Sequence, residues 1–543
     1  MLSSMADATT FFIAIPARNA AVHIAAALES VATQDLTGIR VHVHVQDGGS
    51  TDGTIETVRA WSTRYAGGEG SSELMITGAT AADGGMYDAI TTAIDEASER
   101  FFSPDVFFWL NADDILMPQA LRNLAATFAN QAVEWVIGAA VDLDESGAVT
   151  SHKAHPRIPD ADLRSGDFNY TGGRWLRAES TAVRFAVARA CGPFAAGLRL
   201  AGDYDLFVKL ARRCAPTSVD YPVRGFRRHP GQLSQAAVAY QYERARASFL
   251  LSEVDPLRTR PRAAVARSAH EIVFYPDRTV IDPYQTLLYA GARARGAASI
   301  QDLADACQQA TTPLVVHVHW LDEIVSQPRA MAVADAHALT KTLMAARARG
   351  QRVVFTMHDV TDRTHTNVDV EEMLVEFLFG HASLVHLHHP VVAAEIRGRL
   401  NSFPWGRTVF AEQGPYPDPG VALRGPGLAL VGVDGAATTT IHGARWAVLG
   451  PGVAASAGLL FNVLAAGTPV VAPRLGRIPA YVFEGLNGFL YDPGDEVSYR
   501  QAVERALAVR SAEVEHAFRR QAIRAVADLD WPTMFDTIMR RLA

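Results

Sequence analysis

Val45-Gln46-Asp47-Gly48-Gly49-Ser50-Thr51-Asp52-Gly53-Thr54 ends the apolar stretch Val41 to Val45 on an acid and a pair of glycines. The stretch predicts a buried strand. The glycines let the backbone approach a ligand closely, and Ser50, Thr51 or Asp52 can cap a helix beginning at Thr54. Three further runs repeat the arrangement: Asp83-Gly84-Gly85-Met86-Tyr87-Asp88, Leu110-Asn111-Ala112-Asp113-Asp114 and Gly202-Asp203-Tyr204-Asp205. Each lies where apolar residues give way to turn residues. Their acids and glycines therefore emerge from strand ends along one sheet edge, the usual ligand position in open α/β folds.

Outward from these runs, short β-rich stretches alternate with amphipathic ones: Phe11 to Ile15 then Ala20 to Thr33, Val41 to Val45 then Thr54 to Trp61, Val106 to Leu110 then Gln119 to Phe128. Such alternation predicts a parallel sheet covered by helices. Residues 151–178, rich in Arg, Pro, Gly and Asp, read as a long loop and an acceptor-side lid. After Asp255 to Arg262, with its two prolines, the alternation resumes. Candidate strands there are Leu314 to His317, Arg352 to Thr356, Leu384 to Leu387, Thr408 to Phe410, Leu428 to Val433, Trp446 to Leu449, Pro469 to Ala472 and Gly488 to Tyr491.

Bulk properties narrow the function. A chain of 543 residues exceeds one core. A formal net charge of −8 argues against nucleic acid, whose binding needs clustered Lys and Arg; the local pair Arg227-Arg228 suits a diphosphate better. Cys191, Cys214 and Cys307 are too widely spaced for a disulfide framework or a metal motif, which fits a reducing cytoplasm. Met1 to Thr10 carries no positive charge before the apolar run, so no secretory signal is expected. Trp446 to Pro473 lacks charge, but its glycines and prolines predict strand, helix and strand in place of a membrane span.

Transfer of a sugar from a nucleoside diphosphate needs a divalent cation for the leaving group, a base for the incoming hydroxyl and a nucleoside pocket. Asp113 and Asp114 present hard oxygens suited to Mg²⁺ or Mn²⁺, though Asp also favours a helix N-cap ahead of Pro118. Asp47, Asp83 and Asp88 are placed to hydrogen-bond base and ribose, and Asp47 fits equally a simple turn. His229, in Phe226-Arg227-Arg228-His229-Pro230-Gly231, offers a nitrogen. Asp205 competes with Asp203 as base, but two residues apart on a helix they face different directions.

In order and spacing, "QDGGSTDGT", "DGGMYDAI", "WLNADD", "EST" and "AGDYDL" resemble a family 2 glycosyltransferase of the GT-A fold over the first 235 residues. The resemblance implies an inverting transferase in which Asp113 ligates the metal, with Asp114 beside it. Asp203 is then the general base, and His229 closes over metal and diphosphate. It further implies nucleotide contacts from Pro16, Arg18, Asp47, Asp83 and Asp88, and an acceptor-side Glu179. Asn111 and Gly202 depart from the residues many relatives carry, Asp and Glu respectively.

In the second half, "LVVHVHWLD", "VVFTMHD", "NVLAAGTPVVAP" and "EGLNGFLYDP" resemble a family 4 glycosyltransferase of the GT-B fold over residues 271–510. The two glutamates by which such relatives hold a sugar nucleotide fall on Ala454 and Asn462, so a non-catalytic module binding glycan or a partner is expected. Gly450-Pro451-Gly452-Val453-Ala454-Ala455 matches a dinucleotide fingerprint, but Arg474 stands where its ribose-binding acid belongs. Histidines 317, 319, 358, 386, 388 and 389 lack zinc-type paired spacing and are expected to be packed or hydrogen-bonded.

The expectation is thus an α/β chain: a GT-A, Rossmann-like nucleotide-sugar domain at 1–245, a helical linker at 246–270, and a GT-B-like pair of Rossmann-like units at 271–420 and 421–543, the last shortened. Its function would be a metal-dependent inverting hexosyltransferase, using Mn²⁺ or Mg²⁺ and a nucleoside diphosphate sugar, UDP-linked by preference. The acceptor would be a glycan or lipid-linked hydroxyl in cell-surface polysaccharide synthesis. The expected place is cytoplasmic, with no transmembrane segment and peripheral association at the inner face of the membrane. The alternatives are a bifunctional enzyme with a second active site in 271–543, and a non-catalytic glycan-binding or scaffold protein.

Overall fold

Strands buried on both faces need helices above and below, and therefore parallel neighbours. β1 (Thr9–Ala17) and β2 (Ile39–Asp47) are of this kind, buried along nearly their whole length. The computed structural model describes residues 8–66, 73–100, 104–155, 158–166, 168–169, 175–178, 181–195, 197–254, 270–280, 282–358, 366–397, 403–415, 428–431, 445–451 and 457–542. It divides into two units, Met1–Val254 and Asp255–Ala543.

The first unit adds β3 (Leu74–Thr80), β4 (Val106–Trp109), β5 (Ile115–Leu116), β6 (Trp135–Leu143), β7 (Val149–Lys153), β8 (Thr181–Arg184) and β9 (Pro216–Arg227). They form one sheet in the order β3-β2-β1-β4-β8-β6-β9-β5, with β7 on β6. Strands β1 to β4 are parallel, and Ala17 pairs with Asp47, Asp47 with Thr80 and Ala14 with Trp109. Their C-terminal ends therefore share one edge, where three of the four acidic runs emerge. β8 is antiparallel to both β4 and β6, so the sheet is mixed beyond β4. Alternation along β1 sends Phe11, Ile13 and Ile15 into one core and Phe12 and Ala14 into the other.

The second unit has an all-parallel sheet of β10 (Glu271–Tyr275), β11 (Ala294–Gly296), β12 (Leu314–Val318), β13 (Arg352–Met357), β14 (Leu384–Leu387) and β15 (Thr408–Phe410), in the order β11-β10-β12-β13-β14-β15. A second parallel sheet follows: β16 (Leu428–Val431), β17 (Trp446–Leu449), β18 (Val470–Pro473) and β19 (Gly488–Tyr491). The fold class is α/β, a curled mixed sheet followed by two Rossmann-like ones. The last helix, Trp531–Leu542, packs Trp531, Phe535 and Ile538 against Ile272, Phe274 and Val315 of the six-stranded sheet.

Some expectations need adjustment. The supposed linker at 246–270 begins inside the helix Ala237–Val254, whose Ala247 and Leu251 belong to the first unit's core, while 255–269 lie outside the described residues. The loop at 151–178 contains the end of β7 and a short helix, Asp160–Ser165. Trp446 to Pro473 is strand, helix Ala457–Ala465 and strand, and among the described residues no helix is long and apolar enough to cross a membrane. Ala454 and most of the fingerprint at 450–455 lie outside the described residues, as does Glu179. Histidines 317, 319, 358, 386 and 388 stand in or just beyond three neighbouring strands, linked by hydrogen bonds through Tyr289 and Thr356.

Candidate active site

At the end of β4 the chain turns through Asn111 to Asp114. Asp113 stays half-exposed, and its Oδ2 lies 2.9 Å from His229 Nε2, beyond the end of β9. Two residues far apart in sequence thus meet because β9 returns beside the turn. Arg227 locks the junction. It is buried, its Nε donates to the Asp113 carbonyl at 2.8 Å, and a guanidinium nitrogen donates to the Glu145 carbonyl at 2.9 Å. The His23 ring, just after β1, lies 5.2 Å from that of His229. Burial, then the charges of Arg227 and His229, lower the His23 pKa.

Asp114 does not share this position. It is buried, its Oδ1 accepts from the Arg227 backbone N–H at 2.9 Å, and its Oδ2 accepts from the Asn111 amide at 2.8 Å. With both oxygens engaged in holding the turn, Asp114 is withdrawn as a metal ligand. Asn111 acquires a reason of its own, since only a donor at that position satisfies Asp114. Among the described residues no group of three or more His, Cys, Asp and Glu is arranged to hold a metal ion. Asp113 and His229 nonetheless fit a divalent ion of the Mn²⁺ or Mg²⁺ type. They supply one hard oxygen and one imidazole nitrogen, and such ions usually complete their shell with phosphate oxygens and water.

Asp47 is fully buried and turned onto its own loop. Its Oδ2 accepts from the backbone N–H groups of Gly49 and Ser50, both at 3.0 Å, and its Oδ1 from the Ser50 hydroxyl. Asp83 lies directly against this loop: a Cβ on Gly48 would come within 2.9 Å of its Oδ2. Asp83 also accepts from Gly85 N–H at 3.0 Å, and Asp88, exposed in the first turn of helix Met86–Arg100, accepts from Gly84 N–H at 2.9 Å. Pro16 and Arg18 stand beside them, Pro16 buried and paired with Gln46, Arg18 exposed.

Asp203 opens the helix Gly202–Ala211 and is half-buried. Tyr240 donates to its Oδ1 at 3.4 Å while accepting from Asn169 at 3.0 Å. Burial, and after it the charge of Asp203, raises the pKa of Tyr87 and Tyr240, keeping both phenols protonated. Gly202 is a steric requirement, because a Cβ there would sit 2.4 Å from the Tyr87 ring. Asp205 is fully buried and paired with Lys209 at 2.6 Å, and burial raises its pKa, so it does not face the site.

Residues that motif reading passed over do the positioning. Glu243 Oε2 accepts from three successive N–H groups, those of Arg199, Leu200 and Ala201, at 2.8, 2.6 and 3.0 Å, which sets the entry to the Asp203 helix. Buried Arg224 ties the Trp109 and Thr181 carbonyls together behind the Asp113 turn. Glu243 lies 42 to 44 residues beyond the N–H groups it holds, so no local spacing signals its role.

Residues 12–185 match the family model Glycosyl transferase family 2. The match supports glycosyltransferase activity for this chain. No curated protein matches it. Among solved structures, S. aureus TarS 1-349 is 16% identical over 46% of this chain and 67% of its own, with a TM-score of 0.34. For S. aureus TarS the identity is again 16%, covering 46% of this chain and 41% of that one, with a TM-score of 0.33. The mannosyltransferase PcManGT from Pyrobaculum calidifontis, in complex with GDP-Man and Mn2+, is 19% identical over 45% of this chain and 64% of its own, with a TM-score of 0.32. At these scores the likenesses bear on neither donor nor acceptor.

Proposed function

We propose that the first unit transfers a hexosyl group from a nucleoside diphosphate sugar, UDP-linked by preference, to a hydroxyl of a glycan or lipid-linked acceptor in cell-surface polysaccharide assembly, with inversion. The observation that carries this is the 2.9 Å approach of His229 to Asp113 beyond the end of β4, on the same sheet edge that Asp47 reaches from β2, on the far side of β1. In this reading Asp83 and Asp88 hold base and ribose, Pro16 and Arg18 line the donor, and Asp47 keeps their loop in shape. Asp113 and His229 would hold Mn²⁺ or Mg²⁺, which when bound supplies positive charge to the departing diphosphate. Asp203 takes the proton of the acceptor hydroxyl as its oxygen bonds to the anomeric carbon and the bond to the diphosphate breaks. Glu179 remains an acceptor-side proposal. Residues 271–543 would serve as a GT-B-like, non-catalytic module for glycan or a partner, and the protein would work in the cytoplasm at the inner membrane face.

Transfer assays on Asp203→Asn and Asp205→Asn test the assignment. Asp203→Asn is expected to lose at least about a hundredfold in turnover with nucleotide affinity retained, and Asp205→Asn to lose stability first. Full turnover by Asp203→Asn would end the proposal for the base.

A further inference from the structure

Beside the site, one carboxylate gathers three cations. Asp142, near the end of β6, is buried and accepts through Oδ1 from Arg177 at 2.6 Å and Arg228 at 3.1 Å, and through Oδ2 from Lys153 at 2.7 Å and Ser151 at 2.8 Å. Burial works to raise the Asp142 pKa, but the bonds from Lys153, Arg177 and Ser151 hold it well below the usual carboxylate range. Lys153 and Arg228 alone bring two positive charges to the one negative charge of Asp142. Lys153 and Arg228 are 53% and 48% exposed, which gives this charge to solvent. Asp144, the next acid along the chain, is turned onto Ser146 and Ala148 of its own turn.

The position of this group is what gives it meaning. Arg228 immediately precedes His229, and both Arg177 and Arg228 lie over the Phe226 ring, at 5.7 and 4.5 Å. Two residues before Arg177, Trp175 is 41% exposed and packs at 5.2 Å on Tyr240, the residue that donates to Asp203. Asp203 meets Tyr240 and Tyr240 packs on Trp175, which lies two residues from Arg177 along the chain, while Arg228 adjoins His229, the partner of Asp113. A large exposed aromatic face suits a sugar ring. Exposed cations on a rigid carboxylate anchor suit an oxyanion, which Arg binds in its planar fork.

We propose that Trp175, Lys153, Arg177 and Arg228 form the acceptor surface and that the acceptor is an anionic glycan, bearing phosphodiester or carboxylate groups. This rests on the assignment of Asp203 as the base. The test is calorimetric titration of the full chain with four probes: a glycerol-phosphodiester oligomer, an oligogalacturonate, a neutral maltooligosaccharide, and phosphatidylglycerol vesicles. UDP with Mn²⁺ is titrated in parallel. One of the two anionic oligomers is expected to bind, more weakly at high salt, and which one binds names the oxyanion. The double variant Lys153→Ala/Arg228→Ala, checked for an unchanged melting temperature, should weaken that binding about tenfold, and Lys153→Ala alone should weaken it while leaving UDP affinity as it was. Lys153→Arg/Arg228→Lys, which keeps the charge, should restore it. Equal binding of the neutral oligosaccharide, binding insensitive to the double variant, or binding of the vesicles alone would overturn the proposal. Absence of UDP binding by the unaltered protein would instead strike the donor reading, independently of the oligomer titrations.

Discussion

Asp113 and Asp114 are neighbours with opposite fates. One oxygen of Asp113 faces His229, whereas Asp114 is buried with two donors of its own. Substituting each by Asn separates a ligand from a brace. Asp113→Asn should leave the unfolding free energy within about 0.5 kcal/mol, as for surface changes, yet abolish metal-dependent turnover. Asp114→Asn turns an acceptor toward Asn111 into a donor facing a donor and should cost about 1–3 kcal/mol, read by urea unfolding. Equal stability of the two variants would contradict these roles. The sequence shows the acidic pair at a strand end but not which acid turns inward. That choice is made by the Arg227 N–H, which reaches Asp114 across a sequence separation of 113. For the same reason Asp47 read equally well as turn and as ligand, and only its bonds to Gly49 and Ser50 assign it to its loop.

At the level of elements, the site depends on helices placed from a distance. The helix Ala237–Val254 brings Glu243 under the three N–H groups ahead of Asp203. Glu243→Ala should cost about 1.5–3 kcal/mol, the worth of bonds to a charged acceptor, and lower kcat with little change in donor KM. Glu243→Gln, which keeps an acceptor oxygen, should recover part of kcat; a purely structural residue would leave kcat of the folded fraction unchanged. In the second unit the buried histidines give a pH dependence. Burial outweighs the Ala411 hydrogen bond and the Glu412 charge and lowers His386 from 6.5 to about 4, and His317, His319, His358 and His388 are lowered too. The unfolded chain therefore binds protons that the folded one refuses. Stability is complete above about pH 6.5 and falls as pH drops toward 4, by about 1.4 kcal/mol per unit for His386 alone. Urea midpoints across this window check the sign, and a midpoint that stayed level would contradict it.

Over the whole molecule, most of the parallel strands were legible, while β3, β10, β11 and the mixed part were not. Strands β1, β2, β4 and β12 to β19 are short apolar runs between helical patterns, so local periodicity finds them within a few residues. β6 to β9 pair across long separations in both directions, and β9, in which few residues are fully buried, carries little periodic signal of its own. The histidines of the second unit looked scattered because their spacing is set by the crossover helices between β12, β13 and β14, not by any local motif. The central claim is that residues converging from β2, β4 and β9 make one divalent-dependent nucleotide-sugar site. Calorimetry of UDP binding to the full chain, with Mn²⁺ and with chelator, addresses it most directly. The expected result is Mn²⁺-dependent binding that is lost in Asp113→Asn and His229→Ala and retained in Asp203→Asn; equal binding by all four proteins regardless of Mn²⁺ would contradict it.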